Sequence, residues 1–250
     1  MEYSWIKVIG LIVFMTFPVL AERTQLRELD DYRRAFFESY RKGDLSSWPG
    51  LIDDMGKSHP MELGWQTERV KALYGLTGYQ IARRNKKQAR IYVSMADECL
   101  STLLKACPMD ARLHSLAGAF CGYKISLSFY KAAYLGPRSL AHIEKAIKLD
   151  PAEPMGYIEK ANSLMYRPAA LGRDREQALA LYRKALALMR ARDKVSADWQ
   201  YLLLRAFILK GLYETNQTAE AKALREEMRG EFESMGWVEA FVGVTFFDEK

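Results

Sequence analysis

The chain has 250 residues, 49% hydrophobic, enough apolar material for one or two cores; 16 glycines and 8 prolines are too few for a low-complexity or collagenous protein. Its formal charge of +6 suits an anionic partner. The basic runs ARRNKK (82–87) and RPAALGRDR (167–175) lack the interleaved aromatics of a nucleic-acid platform, so no nucleic acid is expected.

MEYSWIK is followed by VIGLIVFMTFPVL, 13 residues without a charge, too short to span a bilayer comfortably. Val19-Leu20-Ala21 then supplies small residues at −3 and −1 of a cleavage site. The expectation is a signal peptide over 1–21, cut near Ala21, and a periplasmic or secreted mature chain starting at Glu22. Only Lys7 and the amino terminus offset Glu2, which leaves an uncleaved anchor open. No cysteine at the cut argues against a lipoprotein.

Residues 25–42 form an amphipathic helix carrying Leu26, Leu29, Tyr32, Phe36 and Phe37. LSSWPGLIDDMGKSHP reads as a short helix interrupted near Pro49 and ended before Pro60. Together they make an atypical N-terminal capping hairpin over 22–61. A repeat domain spans 62–230. Its first long helix, 62–84, packs through Trp65, Ala72, Gly75 and Tyr79, and Gly75 and Gly78 read as close helix contact. Residues 87–106 are its partner, with Ala89, Val93, Ala96, Leu100 and Leu103 inward and Pro108 closing the pair.

DARLHSLAGAFCGY opens the next repeat, with Gly118 and Cys121 at the small and aromatic positions. The connection SFYKAAYLGPRS stretches the spacing from Pro108 to Pro151 to 43 residues, against about 34 for a tetratricopeptide unit. MYRPAALGRD adds about five more, and such insertions mark one, often functional, edge of a solenoid. Helices near 197–214 and 217–230 follow. The tail over 231–250 is apolar enough to cap the last repeat or to bind something.

One pattern is written twice. In SLAHIEKAIKLDP, Ser139, Ile143 and Ala146 stand at i, i+4 and i+7; in EQALALYRKALALM, Ala178, Tyr182 and Ala185 do the same. Between them PMGYIEKANSLMY places Tyr157, Ala161 and Leu164 on one side. This grammar resembles the tetratricopeptide repeat. LGPRS, the A-x-K-L-D-P stretch, and Tyr166, Pro168, Gly172 and Asp174 resemble a family of exported bacterial tetratricopeptide-repeat proteins over roughly 70–240, with Leu171 and Arg173 departing from its pattern. The resemblance implies an all-α, TPR-like α-solenoid of antiparallel helix pairs, and supplies no catalytic residues. A weaker likeness is to the periplasmic repeat component of some tripartite substrate-importing transporters, which implies a partner that binds small ligands.

Chemistry is sparse. His59, His114 and His142 stand in no metal-ligand spacing; His114 reads as structural and His142 as exposed. Cys99, Cys107 and Cys121 read as small core residues, although an antiparallel hairpin could bring Cys99 near Cys121. No nucleophile elbow or dinucleotide fingerprint occurs. No enzyme, metal or cofactor is expected. What remains is the concave surface lined by the first helix of each repeat. Arg112, Ser115, Ala119 and Tyr123, then Met155, Ile158, Asn162, Met165 and Tyr166, then Lys210 and Tyr213, are its candidate lining. Arg112, Tyr123, Met155, Asn162, Tyr166 and Tyr213 are the proposed contacts for a protein or peptide partner. A small apolar ligand, as in an accessory of an import transporter or envelope complex, is the alternative.

Overall fold

The computed structural model describes residues 28–192 and 198–243; the expected signal peptide and the end of the tail lie outside them. Regular structure among the described residues is all helical. It comprises α1 (28–42), α2 (Trp48–Ser58), α3 (Leu63–Ala82), α4 (Lys86–Ala106), α5 (Ala111–Leu127) and α6 (Ala132–Leu149). The chain continues through α7 (Pro154–Tyr166), α8 (Arg175–Arg190), α9 (Trp199–Glu214), α10 (Thr218–Arg229) and α11 (Gly236–Val242). Single 3₁₀ turns, Phe129–Lys131 and Ala169–Leu171, interrupt two connections.

Neighbouring helices pack as pairs, α3 with α4, α5 with α6, α7 with α8, and the pairs stack into an α-solenoid. The two rows differ in sequence for a physical reason. Helices α5 and α9 are buried almost all round and read apolar on every face. The outer-row helices α4, α6 and α8 bury one stripe and turn charges outward. Asp110 and Asp174 start α5 and α8 by accepting from the amides of Leu113 (2.9 Å) and Gln177 (2.8 Å).

Both copies of the written pattern form the seams. Ile143, Ala146, Ala178, Tyr182 and Ala185 are all at most 1% exposed. Opposite the first seam, a Cβ on Gly118 would lie 2.7 Å from Ile143 Cγ1 and 3.1 Å from the Ser139 carbonyl, so only glycine lets α5 and α6 approach this closely. Ala146→Leu or Ala185→Leu should therefore overpack a seam and cost about 1–3 kcal/mol each in urea unfolding. Melting temperatures equal to the parent's would show that the seam tolerates the added volume.

Two local expectations change. Pro49 starts α2 rather than breaking it, because a proline in the first turn gives up an amide that has no helical partner anyway. The stretch SFYKAAYLGPRS is not a loop: after one 3₁₀ turn, α6 already runs from Ala132 with Pro137 inside its second turn. The extra residues lengthen a helix.

The solenoid closes on itself. The Trp199 ring, at the start of α9, lies 5.2 Å from both Trp48 of α2 and Tyr40 of α1. A Cβ on Gly75 would sit 2.8 Å from each of the Trp199 and Trp48 rings, so α3 needs glycine there. Trp237 of α11 meets Tyr40 at 5.0 Å, and Arg41 pairs with Glu233 at 2.6 Å. First hairpin, α9 and tail thus share one aromatic cluster.

Candidate functional site

The inner helices α3, α5, α7 and α9 carry two polar networks, one at each end of the inner face. At the N-terminal end, Glu68 of α3 accepts from Arg33 (3.1 Å) and pairs with Lys71 (3.4 Å), which reaches Asp198 at 3.1 Å. Although burial works against it, Lys71 and Arg33 hold the Glu68 carboxyl below its ordinary range. Beside this lie Arg112 and Arg192, 3.6 and 3.3 Å from Glu153. Every charge named here has an opposite neighbour, so this end is a brace.

The C-terminal end is different. Tyr74 of α3 donates its hydroxyl to Glu159 Oε1 of α7 at 2.8 Å, and its ring stacks on Tyr123 of α5 with centroids 5.4 Å apart. Tyr123 donates in turn to the Tyr74 carbonyl at 3.2 Å. It fits because Gly78 is bare: a Cβ there would come within 2.8 Å of the Tyr123 oxygen. Asn162 donates to Glu159 Oε1 at 3.1 Å and accepts from Tyr182 of α8 at 2.6 Å. Tyr182 stacks on Phe207 of α9 at 5.4 Å, and Phe207 meets Phe241 of the tail at 5.5 Å.

Glu159 sits at the base, 5% exposed, with tyrosine and asparagine around it and, among the described residues, no cation bonded to it. Burial pushes its pKa up to about 7, against the two hydrogen bonds it accepts. Burial likewise raises the hydroxyls of Tyr74, Tyr123 and Tyr182. At the rim, Tyr166 is 51% exposed, yet partial burial and the charges of Glu214 and Glu159 also raise its hydroxyl.

Of the residues singled out from sequence, Tyr123, Asn162 and Tyr166 come together around Glu159. Arg112 belongs to the opposite, ion-paired end. Met155 is buried, with Gln200 of α9 donating to its sulfur at 3.4 Å. Tyr213 is half-buried in the last turn of α9, and Lys210 donates to the Phe241 carbonyl at 3.1 Å, so the tail covers it. Sequence reading missed Tyr74 and Glu159. The signal for Glu159 was present, since Met155, Glu159, Asn162 and Tyr166 form an i, i+4, i+7, i+11 stripe of α7.

His142 is half-buried rather than exposed, its Nδ1 lying 2.9 Å from Nδ1 of His114, whose Nε2 faces the Pro108 carbonyl. The three thiols are free. Among the described residues no group of three or more side chains is placed to hold a metal, and no helix is long and apolar enough to cross a membrane. Two clefts are open to solvent. One, of about 230 Å³, lies against α4 and the end of α5, with Arg90, Asp97 and Lys124 in its wall. The other, about 490 Å³, lies at the second inserted turn beside Arg173, Asp174 and Glu214.

No protein-family profile matches the chain, and no curated protein sequence matches it. Among solved structures it is similar to the HusA haemophore from Porphyromonas gingivalis, at 18% identity and a TM-score of 0.60. The match covers 76% of this chain and 94% of the haemophore. At that identity the likeness is one of fold.

Proposed function

We propose that the chain is an exported, non-catalytic tetratricopeptide-repeat protein that captures a compact, flat, largely apolar ligand at the tyrosine-lined end of its inner face. The observation that carries this reading is the half-exposed Tyr166 at the rim of a network in which Tyr74, Tyr182 and Glu159 are buried and Tyr123 and Asn162 half-buried. An extended peptide needs a continuous free groove, and here Trp199 and the tail occupy much of the inner face. A planar ligand needs only aromatic faces and a few polar anchors.

The fold likeness to a haemophore makes a porphyrin the first ligand to try. A tyrosine oxygen is a competent haem-iron ligand, and Arg173, exposed on the neighbouring turn, suits the propionates. Haem would be cargo here, with no reaction performed on it. A protein partner, including an import or envelope complex, remains the second reading, supported by the exposed Tyr166 at the end of α7 and the exposed Leu171 on the turn that follows.

Absorbance titration with haemin and with metal-free protoporphyrin tests the proposal. Tyr166→Ala should weaken both by about 30-fold, the effect of losing an aromatic anchor worth about 2 kcal/mol. Tyr166→Phe should weaken haemin alone if the phenol oxygen meets iron. A parent chain that binds neither porphyrin would overturn the reading and leave the partner reading in its place.

A further inference from the structure

The connections α3–α4, α5–α6 and α7–α8 all leave the solenoid along one edge, because inner and outer helices alternate in direction. On this edge the stretches RRNKK (83–87), SFYK (128–131) and RPAALGRD (167–174) carry seven basic residues, and Asp174 is their one acid. The excess equals the +6 of the whole chain, so the remainder is balanced. The opposite edge has no such excess: its turns HPME (59–62), CPMD (107–110) and DPAE (150–153) carry four carboxylates, and Arg112 and Arg192 pair with Glu153 there.

Exposed aromatic side chains gather on the basic edge, whereas Met61, Leu63 and Met109 lie on the other. Of the nine large hydrophobic side chains that face solvent among the described residues, five lie on or beside the basic turns: Phe129, Tyr130, Tyr134, Tyr166 and Leu171. Phe129 is 68% and Tyr130 79% exposed, and the cleft beside them, walled by Arg90, Asp97, Lys124 and Lys131, is charged rather than apolar. Arg83, Arg84, Lys86 and Lys87 are exposed as well.

We infer that this edge docks on an anionic lipid surface, Phe129 and Tyr130 entering the headgroup layer while the basic turns sit over its negative charge. Protruding aromatic tips prefer the interface between headgroups and acyl chains, and each basic residue near an anionic leaflet adds about 1 kcal/mol. A protein interface would instead need a packed, complementary centre. Because Phe129 and Tyr130 take no part in the tyrosine network, this inference stands or falls apart from the porphyrin reading.

The test is co-sedimentation of the exported form of the chain with vesicles of phosphatidylcholine, alone or mixed with phosphatidylglycerol. Partition should require phosphatidylglycerol and fade as ionic strength rises towards about 0.5 M. Phe129→Ser with Tyr130→Ser should lower it roughly ten-fold at unchanged helical content. Lys86→Glu with Lys87→Glu should also lower it without unfolding, since acids are favourable in the first turn of α4. Partition indifferent to phosphatidylglycerol, or unmoved by both double variants, overturns the inference. So does a result in which the variants lose capture of polyglutamate but keep vesicle binding, because the edge would then face an acidic protein.

Discussion

Trp199→Ala should cost about 3–5 kcal/mol of unfolding free energy, the largest single-residue loss expected in this chain. The ring is 2% exposed and touches three elements besides its own: Tyr40 of α1, Trp48 of α2 and the bare backbone of Gly75 on α3. Truncation leaves a cavity that rigid aromatic neighbours cannot collapse to fill. For a chain of this size the loss corresponds to a fall in Tm on the order of 10 °C. Gly75→Ala should fail for the opposite reason, since its methyl would press on two indole rings that have nowhere to rotate. Urea unfolding followed by far-UV circular dichroism measures both. A loss below about 1 kcal/mol for Trp199→Ala would mean that α9 does not hold the first hairpin in place.

The second large effect is a pH dependence. Glu159 titrates in the folded chain at about 7, against an ordinary value of 4.5. A carboxyl whose pKa is raised on folding favours the folded state fully below 4.5, and that contribution is lost as pH climbs through 7. Each unit of difference is about 1.4 kcal/mol, so the group removes about 3 kcal/mol across this window. Glu159→Gln keeps an acceptor for Tyr74 and Asn162 and carries no charge at any pH. The variant should match the parent in acid and exceed it by about 3 kcal/mol on the alkaline side of the window. Parallel stability–pH curves for the two proteins would show that Glu159 is not the buried acid the geometry makes it.

The repeat frame was legible because it rests on local spacing. Ser139, Ile143 and Ala146, like Ala178, Tyr182 and Ala185, announce a seam through helical periodicity alone, and all six are buried. Turn punctuation was less dependable. Gly136-Pro137 reads as a stop, yet α6 runs through it, giving up one amide bond in its second turn while the seam further along holds the helix. The site was half legible. Tyr123, Asn162 and Tyr166 were visible as residues on inner helices, but their meeting point was not. It depends on Tyr74, 85 residues before Glu159 in the chain, and no pattern within one helix encodes that pairing. The closure of the inner face was hidden for the same reason: Trp199 and Trp237 look like ordinary core residues until their partners are known.

That closure alters how the chain must fold. A linear array of repeats needs only contacts between neighbours, can nucleate anywhere and loses its ends first. Here Arg41 pairs with Glu233 across 192 residues of sequence. The first hairpin cannot complete its aromatic packing until α9 and the tail have been made and have swung back onto it. During synthesis Tyr40 and Trp48 therefore wait exposed, and the slow step is the closing of a very long loop rather than the growth of any helix. Once shut, the ring ties α1 and α11 into the packing and denies them the fraying usual for end helices. Trimming the chain at α11 should then loosen α1 as readily as it loosens α9.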